Sequence, residues 1–238
     1  MADTDLHFWF DPVCPFAWMT SKWVRLVAAQ RDYTVEWRPI SLRLLNGHID
    51  YDAHFPPEYE QGHTAGLRLL RVVVRARAEH GAQVLGPLYA AIGAEVFETP
   101  PGSALPSRLD TALVERLLAT AGLPAELAGA LDDSSWDAEI QRETDAGLAL
   151  TGKDVGTPIL HFEPPTGVAF FGPVISRLPG EQEAVELWDH VIGLARFPGF
   201  AELKRSLREL PQLPALGVAA GEAGTTEDWH GGSRRQKR

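Results

Sequence analysis

Trp9-Phe10-Asp11-Pro12-Val13-Cys14-Pro15-Phe16-Ala17-Trp18 is the stretch on which the reading of this chain turns. It holds the only cysteine of the 238 residues, Cys14. The bulky run Leu6 to Phe10 is bounded by Asp11-Pro12 and predicts a buried strand. Pro15 suits the first position of a helix, where its missing N–H costs nothing. Apolar residues at helical spacing then continue to about Gln30. One sulfur is therefore expected where a strand ends and a helix begins. The position that would complete a C-x-x-C pair is Ala17.

A cysteine at a helix N-terminus meets unpaired backbone N–H groups and the positive end of the helix dipole. Both favour the thiolate, so the expected pKa falls from about 8.5 into the range of roughly 3.5–7.5. At a pKa of about 6, the thiolate fraction at pH 7 rises from about 3% to about 90%. A lone cysteine is more often a small buried hydrophobe. The strand–Cys–Pro–helix setting favours the reactive reading. Asp11, beside the sulfur, either tunes it or caps the helix. A single cysteine excludes an internal disulfide, which suits a reducing cytoplasm.

Outward from this stretch, Tyr33 to Ile40 alternates and is rich in β-formers, predicting a second strand that ends near Pro39. The first forty residues thus read as a parallel β-α-β unit. From Pro57 to about Leu150 strand signal is nearly absent. Helices are expected near 58–79, 84–96, 107–121, 124–131 and 135–150. Ser107 to Asp110 and Ser134 to Asp137 resemble capping boxes with Asp in the last place. Pro158 to Phe162 and Val168 to Phe171 flank a turn and predict a hairpin. A helix follows over Glu181–Arg196, and another is expected from Gly199 to Glu209. Beyond Pro211 the chain is Ala-, Gly- and Thr-rich with too little apolar surface to fold. Its basic end, Ser233 to Arg238, reads as a solvated terminus. The expected organisation is 1–56, 57–152 (a helical insertion), 153–210 and a disordered tail at 211–238.

Hydrophobic residues make up 45% and charged residues 23%, an ordinary globular balance. The net charge of -10 gives no electrostatic case for nucleic acid or an anionic membrane as partner. The acidic start Met1-Ala2-Asp3-Thr4-Asp5 lacks signal-peptide features, and no apolar run reaches 18 residues. A cytoplasmic location is expected. The eight histidines show no metal-ligand spacing, so no metal site is expected. His7 and His161 read as core histidines on central strands. His80 suits a helix C-terminus.

The order β-α-β, helical block, β-β-α resembles a thioredoxin fold with a large all-helical insertion, an α/β class seen in the DsbA-like family. Cys14-Pro15-Phe16-Ala17 and Val155-Gly156-Thr157-Pro158 carry that resemblance, the second being similar to the family's cis-proline loop. Trp9-Phe10-Asp11-Pro12, Ser41-Leu42 with Leu45-Asn46, Gly86 to Tyr89, Asp154 to Pro158 and Ala169 to Val174 resemble one subgroup. That subgroup is the actinobacterial mycothiol-dependent nitroreductase/oxidoreductase proteins, and the similarity runs over most of residues 6–210. Kappa-class glutathione transferases and 2-hydroxychromene-2-carboxylate isomerases are more distant and usually carry Ser at the active position. The subgroup commonly has C-P-W-C; here Phe16 and Ala17 replace its last two residues, and the resolving thiol is missing.

The resemblance implies a low-molecular-weight thiol, mycothiol or glutathione-like, as cofactor, and no metal. Cys14 is the expected catalytic residue. Pro15, Phe16, Trp18, Asn46, Tyr59, Thr157, Pro158, Phe171 and Gly172 are expected to bind thiol or substrate. Trp9 belongs with Trp18, Asn46, Tyr59 and Phe171 in an apolar pocket, although plain core explains both tryptophans equally well. The expected partners are the thiol and an electrophile or disulfide substrate; a homodimer stays open. Three functions compete: a monothiol DsbA-like oxidoreductase, a transferase or isomerase in which Cys14 only positions the thiol, and a non-catalytic binding protein.

Overall fold

Strand β1 (Leu6–Phe10) lies at the middle of the fold because its side chains serve both faces of the sheet. Leu6, Phe8 and Phe10 alternate into the main core, while Trp9 joins Ile40 and Ile159 on the other face. The computed structural model describes residues 4–54, 57–100, 105–152, 155–205, 207–230 and 233–234. β1 runs parallel to β2 (Val35–Pro39), with Phe8 beside Trp37. It runs antiparallel to β3 (Ile159–Phe162), which pairs antiparallel with β4 (Ala169–Phe171). The order is β2-β1-β3-β4. Helix α1 (Pro15–Gln30) makes the crossover between the parallel strands. This is the thioredoxin arrangement, with helices inserted between β2 and β3.

The inserted helices are α2 (Leu42–Leu45), α3 (Tyr51–His54), α4 (Pro57–His80), α5 (Leu85–Phe97), α6 (Leu105–Arg108), α7 (Thr111–Thr120) and α8 (Asp137–Thr151). α5 packs on α1 at one close approach. A Cβ on Gly93 would sit 2.2 Å from the Trp18 ring, so only glycine admits that indole. α8 covers the opposite face of the sheet. There Trp9 Nε1 donates to the Glu143 carbonyl at 3.3 Å, and Gly147 leaves room for the indole. The Glu143 carboxylate accepts from Arg38 Nε at 2.9 Å and meets Arg77 Nη1 at 3.0 Å, joining β2, α4 and α8. After β4, α9 (Glu181–Ala195) lies against α1, where Trp23 Nε1 donates to the Ala184 carbonyl at 2.8 Å.

Several local expectations are corrected. Ser107 does not open a capping box. Asp110 is itself the N-cap of α7, accepting from Leu113 N at 2.8 Å, and Ser107 sits inside α6. Asp133, not Ser134, caps the next turn, accepting from Ser135 N at 3.0 Å. In both places a carboxylate placed nearer the turn captures the free amide. The helix expected over Gly199–Glu209 does not form. Residues 201–205 have no regular structure and Leu207–Glu209 is a strand, β5, paired with β6 (Thr226–His230), which pairs with β7 (Ser233–Arg234). The stretch after Pro211, expected to stay unfolded, buries Leu213 completely and Val218 nearly so. Those two apolar side chains and the β5–β6 pairing are what anchor it. Residues 231–232, residues 235–238 of the basic end and Asp154 of the proline-loop motif lie outside the described residues. Among the described residues no helix is long and apolar enough to cross a membrane.

Candidate functional site

Cys14 is the N-cap of α1, with Pro15 at the next position. Its extended backbone leaves the sulfur over the first turn, and Sγ accepts the Ala17 amide at 3.4 Å. The thiol donates across the fold to the Thr157 carbonyl, also at 3.4 Å. Thr157 is buried and its hydroxyl donates to the Trp9 carbonyl at 3.0 Å, tying this loop to the end of β1. The Thr157–Pro158 bond is cis. Gly172 N donates to the Pro158 carbonyl at 2.8 Å, bringing the end of β4 alongside. Ala17 has no exposed surface, so the place of a second sulfur is filled.

The electrostatics of this sulfur differ from the expectation. Burial pushes the Cys14 thiol up to about 12; the Ala17 and Phe16 amides and the Arg208 cation favour the thiolate, the Asp11 charge opposes it, and burial wins. The helix N-terminus is present, but the site is too dry for it to decide the outcome. Asp11 is buried and its carboxyl is pushed up to about 7 by desolvation, against the amides of Val13 at 2.9 Å and Leu42 at 2.7 Å. It does not cap α1. Its two oxygens hold the cysteine loop against the start of α2.

Of the residues expected around the site, Thr157 meets Cys14, Pro158 follows it and Gly172 bonds the Pro158 carbonyl, with Pro15 half-buried beside the cysteine and Phe16 buried. Phe171 is half-buried, and its ring is the nearest neighbour of a Cβ built on Gly156. Trp18 is core: Nε1 donates to Glu98 at 2.8 Å, and the ring packs on Gly93, Tyr89 and Phe97. Trp9 is core against α8. Asn46 and Tyr59 belong to a separate cluster of α2, α3 and α4. There the Tyr51 hydroxyl meets His63 Nδ1 at 2.9 Å, and the Tyr59 and His63 rings lie 5.6 Å apart. Burial lowers His63 to about 4. No sequence period links Tyr51 to His63.

Two further residues belong near the sulfur. Tyr89, stacked on Phe10 at 3.8 Å, has its pKa raised by burial and by the Cys14 charge. Arg208 lies within electrostatic reach of Cys14, and its guanidinium carbon is 6.0 Å from the Phe171 ring centre. In the sequence it falls inside the stretch expected to be helical, Gly199 to Glu209, and nothing singles it out. Among the described residues no group of three or more His, Cys, Asp or Glu side chains could hold a metal ion.

Residues 13–205 match the family described as Rv2466c-like, mycothiol-dependent nitroreductase Rv2466c. The uncharacterized protein Rv2286c of Mycobacterium tuberculosis is 34% identical over 213 residues, covering 89% of this chain and 84% of its own. Among solved structures, the probable DsbA oxidoreductase SCO1869 of Streptomyces coelicolor has a TM-score of 0.50 at 16% identity, over 85% of this chain and 94% of that one. The cytosolic disulfide reductase DsbM of Pseudomonas aeruginosa has a TM-score of 0.50 at 17% identity, over 80% and 99%. DsbM is also described with GSH. At these identities the structures establish the fold.

Proposed function

The chain belongs to the Rv2466c-like family of thiol-dependent oxidoreductases, and from that premise we propose that Cys14 is its reactive residue, working with a small thiol of the mycothiol class. The observation that carries this is the bond from Cys14 Sγ to the Thr157 carbonyl at 3.4 Å. It sets the sulfur against a loop whose Thr157 N–H makes no backbone hydrogen bond among the described residues. That edge suits strand-like pairing with a thiol lying beside Cys14. The residues fit such a ligand: Thr157, Pro158, Gly172 and Phe171 would hold it, and DsbM, of the same fold, is described with GSH. When bound, the thiol supplies reducing equivalents.

Cys14 gives its proton to solvent, and its thiolate attacks the small-thiol sulfur of a mixed disulfide between that thiol and the substrate. A new S–S bond forms to Cys14 and the other sulfur leaves as a thiolate. Ala17 offers no resolving thiol, so an external thiolate must displace Cys14, returning its thiolate and yielding the oxidised small thiol. Intact mass after treatment with oxidised mycothiol or glutathione tests this. One thiol mass added to wild type and none to Cys14→Ser is the expected result; an unmodified wild type sinks it.

The burial of Cys14 favours a second reading. A protonated thiol at the helix start can orient a bound cofactor thiol without becoming bonded to it, as a transferase or isomerase would require. Cys14→Ser separates the two: the first reading predicts near-complete loss of activity and the second predicts retention.

A further inference from the structure

Arg208 lies on β5, three residues beyond the end of the family match at residue 205. Its neighbour Glu209 pins the strand to the chain just after β4. The Glu209 carboxylate accepts from Arg177 at 2.9–3.1 Å, from Ser176 Oγ at 3.3 Å and from Gly224 N at 2.8 Å. Gln212 N donates to the Ser176 carbonyl at 2.8 Å, and Leu213 is fully buried. The backbone on the C-terminal side of Arg208 is thus held. Arg208 itself is half-buried over Phe171. Phe171 pairs with Ile159, next to Pro158, and Thr157 receives the Cys14 thiol. Phe171 thus sets the guanidinium beside the strand that leads out of the cysteine's partner loop.

We propose that Arg208 is a positioning residue that stabilises negative charge on Cys14 when its sulfur attacks or leaves, so that the C-terminal segment completes the site. Among the described residues, the ionisable groups whose charges act on Cys14 include Asp11 and Tyr89, whose anionic forms oppose that charge, and Arg208, which supports it. In a site this dry, one facing cation counts for more than it would in water. The purpose of the charge rests on the thiol chemistry proposed above, but its presence is measurable without that chemistry.

The test is the rate of iodoacetamide alkylation of Cys14 between pH 7 and 10, followed by intact mass, for wild type, Arg208→Gln, Arg208→Lys and Glu209→Gln. Arg208 is the weakest of the named influences on Cys14, so Arg208→Gln should alkylate about two- to threefold more slowly at pH 8. Arg208→Lys should recover most of that loss, and Glu209→Gln, which loosens the latch, should fall in the same direction. A profile for Arg208→Gln that superimposes on wild type overturns the proposal. So does an equal fall in Arg208→Gln and Arg208→Lys, which marks a packing role. Absence of a mixed disulfide on wild-type Cys14 defeats the proposed reaction and leaves this comparison intact.

Discussion

Asp11 Oδ2 accepts the backbone amide of Leu42 at 2.7 Å, so one buried carboxyl beside the cysteine fastens the turn after β1 to the turn after β2. The same carboxyl places a charge near Cys14 that raises the thiol further.

Wild-type Cys14 should therefore alkylate slowly at pH 7. With a thiol near 12, its rate should climb about tenfold per pH unit through pH 9, with no plateau. Asp11→Asn removes the opposing charge and should speed the reaction several-fold at pH 8. A wild-type plateau below pH 8 would show instead that the helix N-terminus prevails over burial.

Glu143 tests the junction between sheet and insertion. Burial works against its ionisation, but Arg38 and Arg77 outweigh it and hold the carboxyl below its usual range. A lowered carboxylate contributes stability that is present above the unfolded value of about 4.3 and is lost as pH falls through the folded value. Glu143→Gln should cost about 2 kcal/mol at pH 7, and the gap to wild type should narrow at pH 3.5. Thermal melts at both pH values decide it; an unchanged gap refutes the ionic account.

Gly93 and Gly62 form a contrasting pair. Alanine at 93 would drive its Cβ into the Trp18 ring, now 2.2 Å from that point, and should cost about 1–3 kcal/mol. Alanine at 62, on α4 with nothing within 4 Å, should stabilise by up to about 1 kcal/mol. Melting temperatures that move in the same direction would contradict this packing.

β1, α1 and β2 were legible because Leu6 to Phe10 and Tyr33 to Ile40 carry strand signals and Pro15 marks a helix start. The hairpin of β3 and β4 was equally plain. What resisted reading is set by distant residues. Whether Trp9 and Trp18 line a pocket or fill the core depends on Gly147 and Gly93, which make room for them. Cys14 meets its carbonyl partner Thr157 across 143 positions of chain. Arg208 was invisible because β5 is three residues long and exists only through its pairing with β6. Local patterns name the sulfur; long-range packing sets its acidity.

The buried methyl group of Ala17 also decides the kinetic order of the proposed cycle. Where two sulfurs share one helix turn, release is intramolecular, driven by an effective concentration on the order of millimolar or more. Here release is bimolecular. Its speed rises in proportion to the thiol dissolved around the protein, and the chain imposes no clock of its own. A cell that lets its small-thiol pool run down would stall this protein with its sulfur capped, and refilling the pool would set it free.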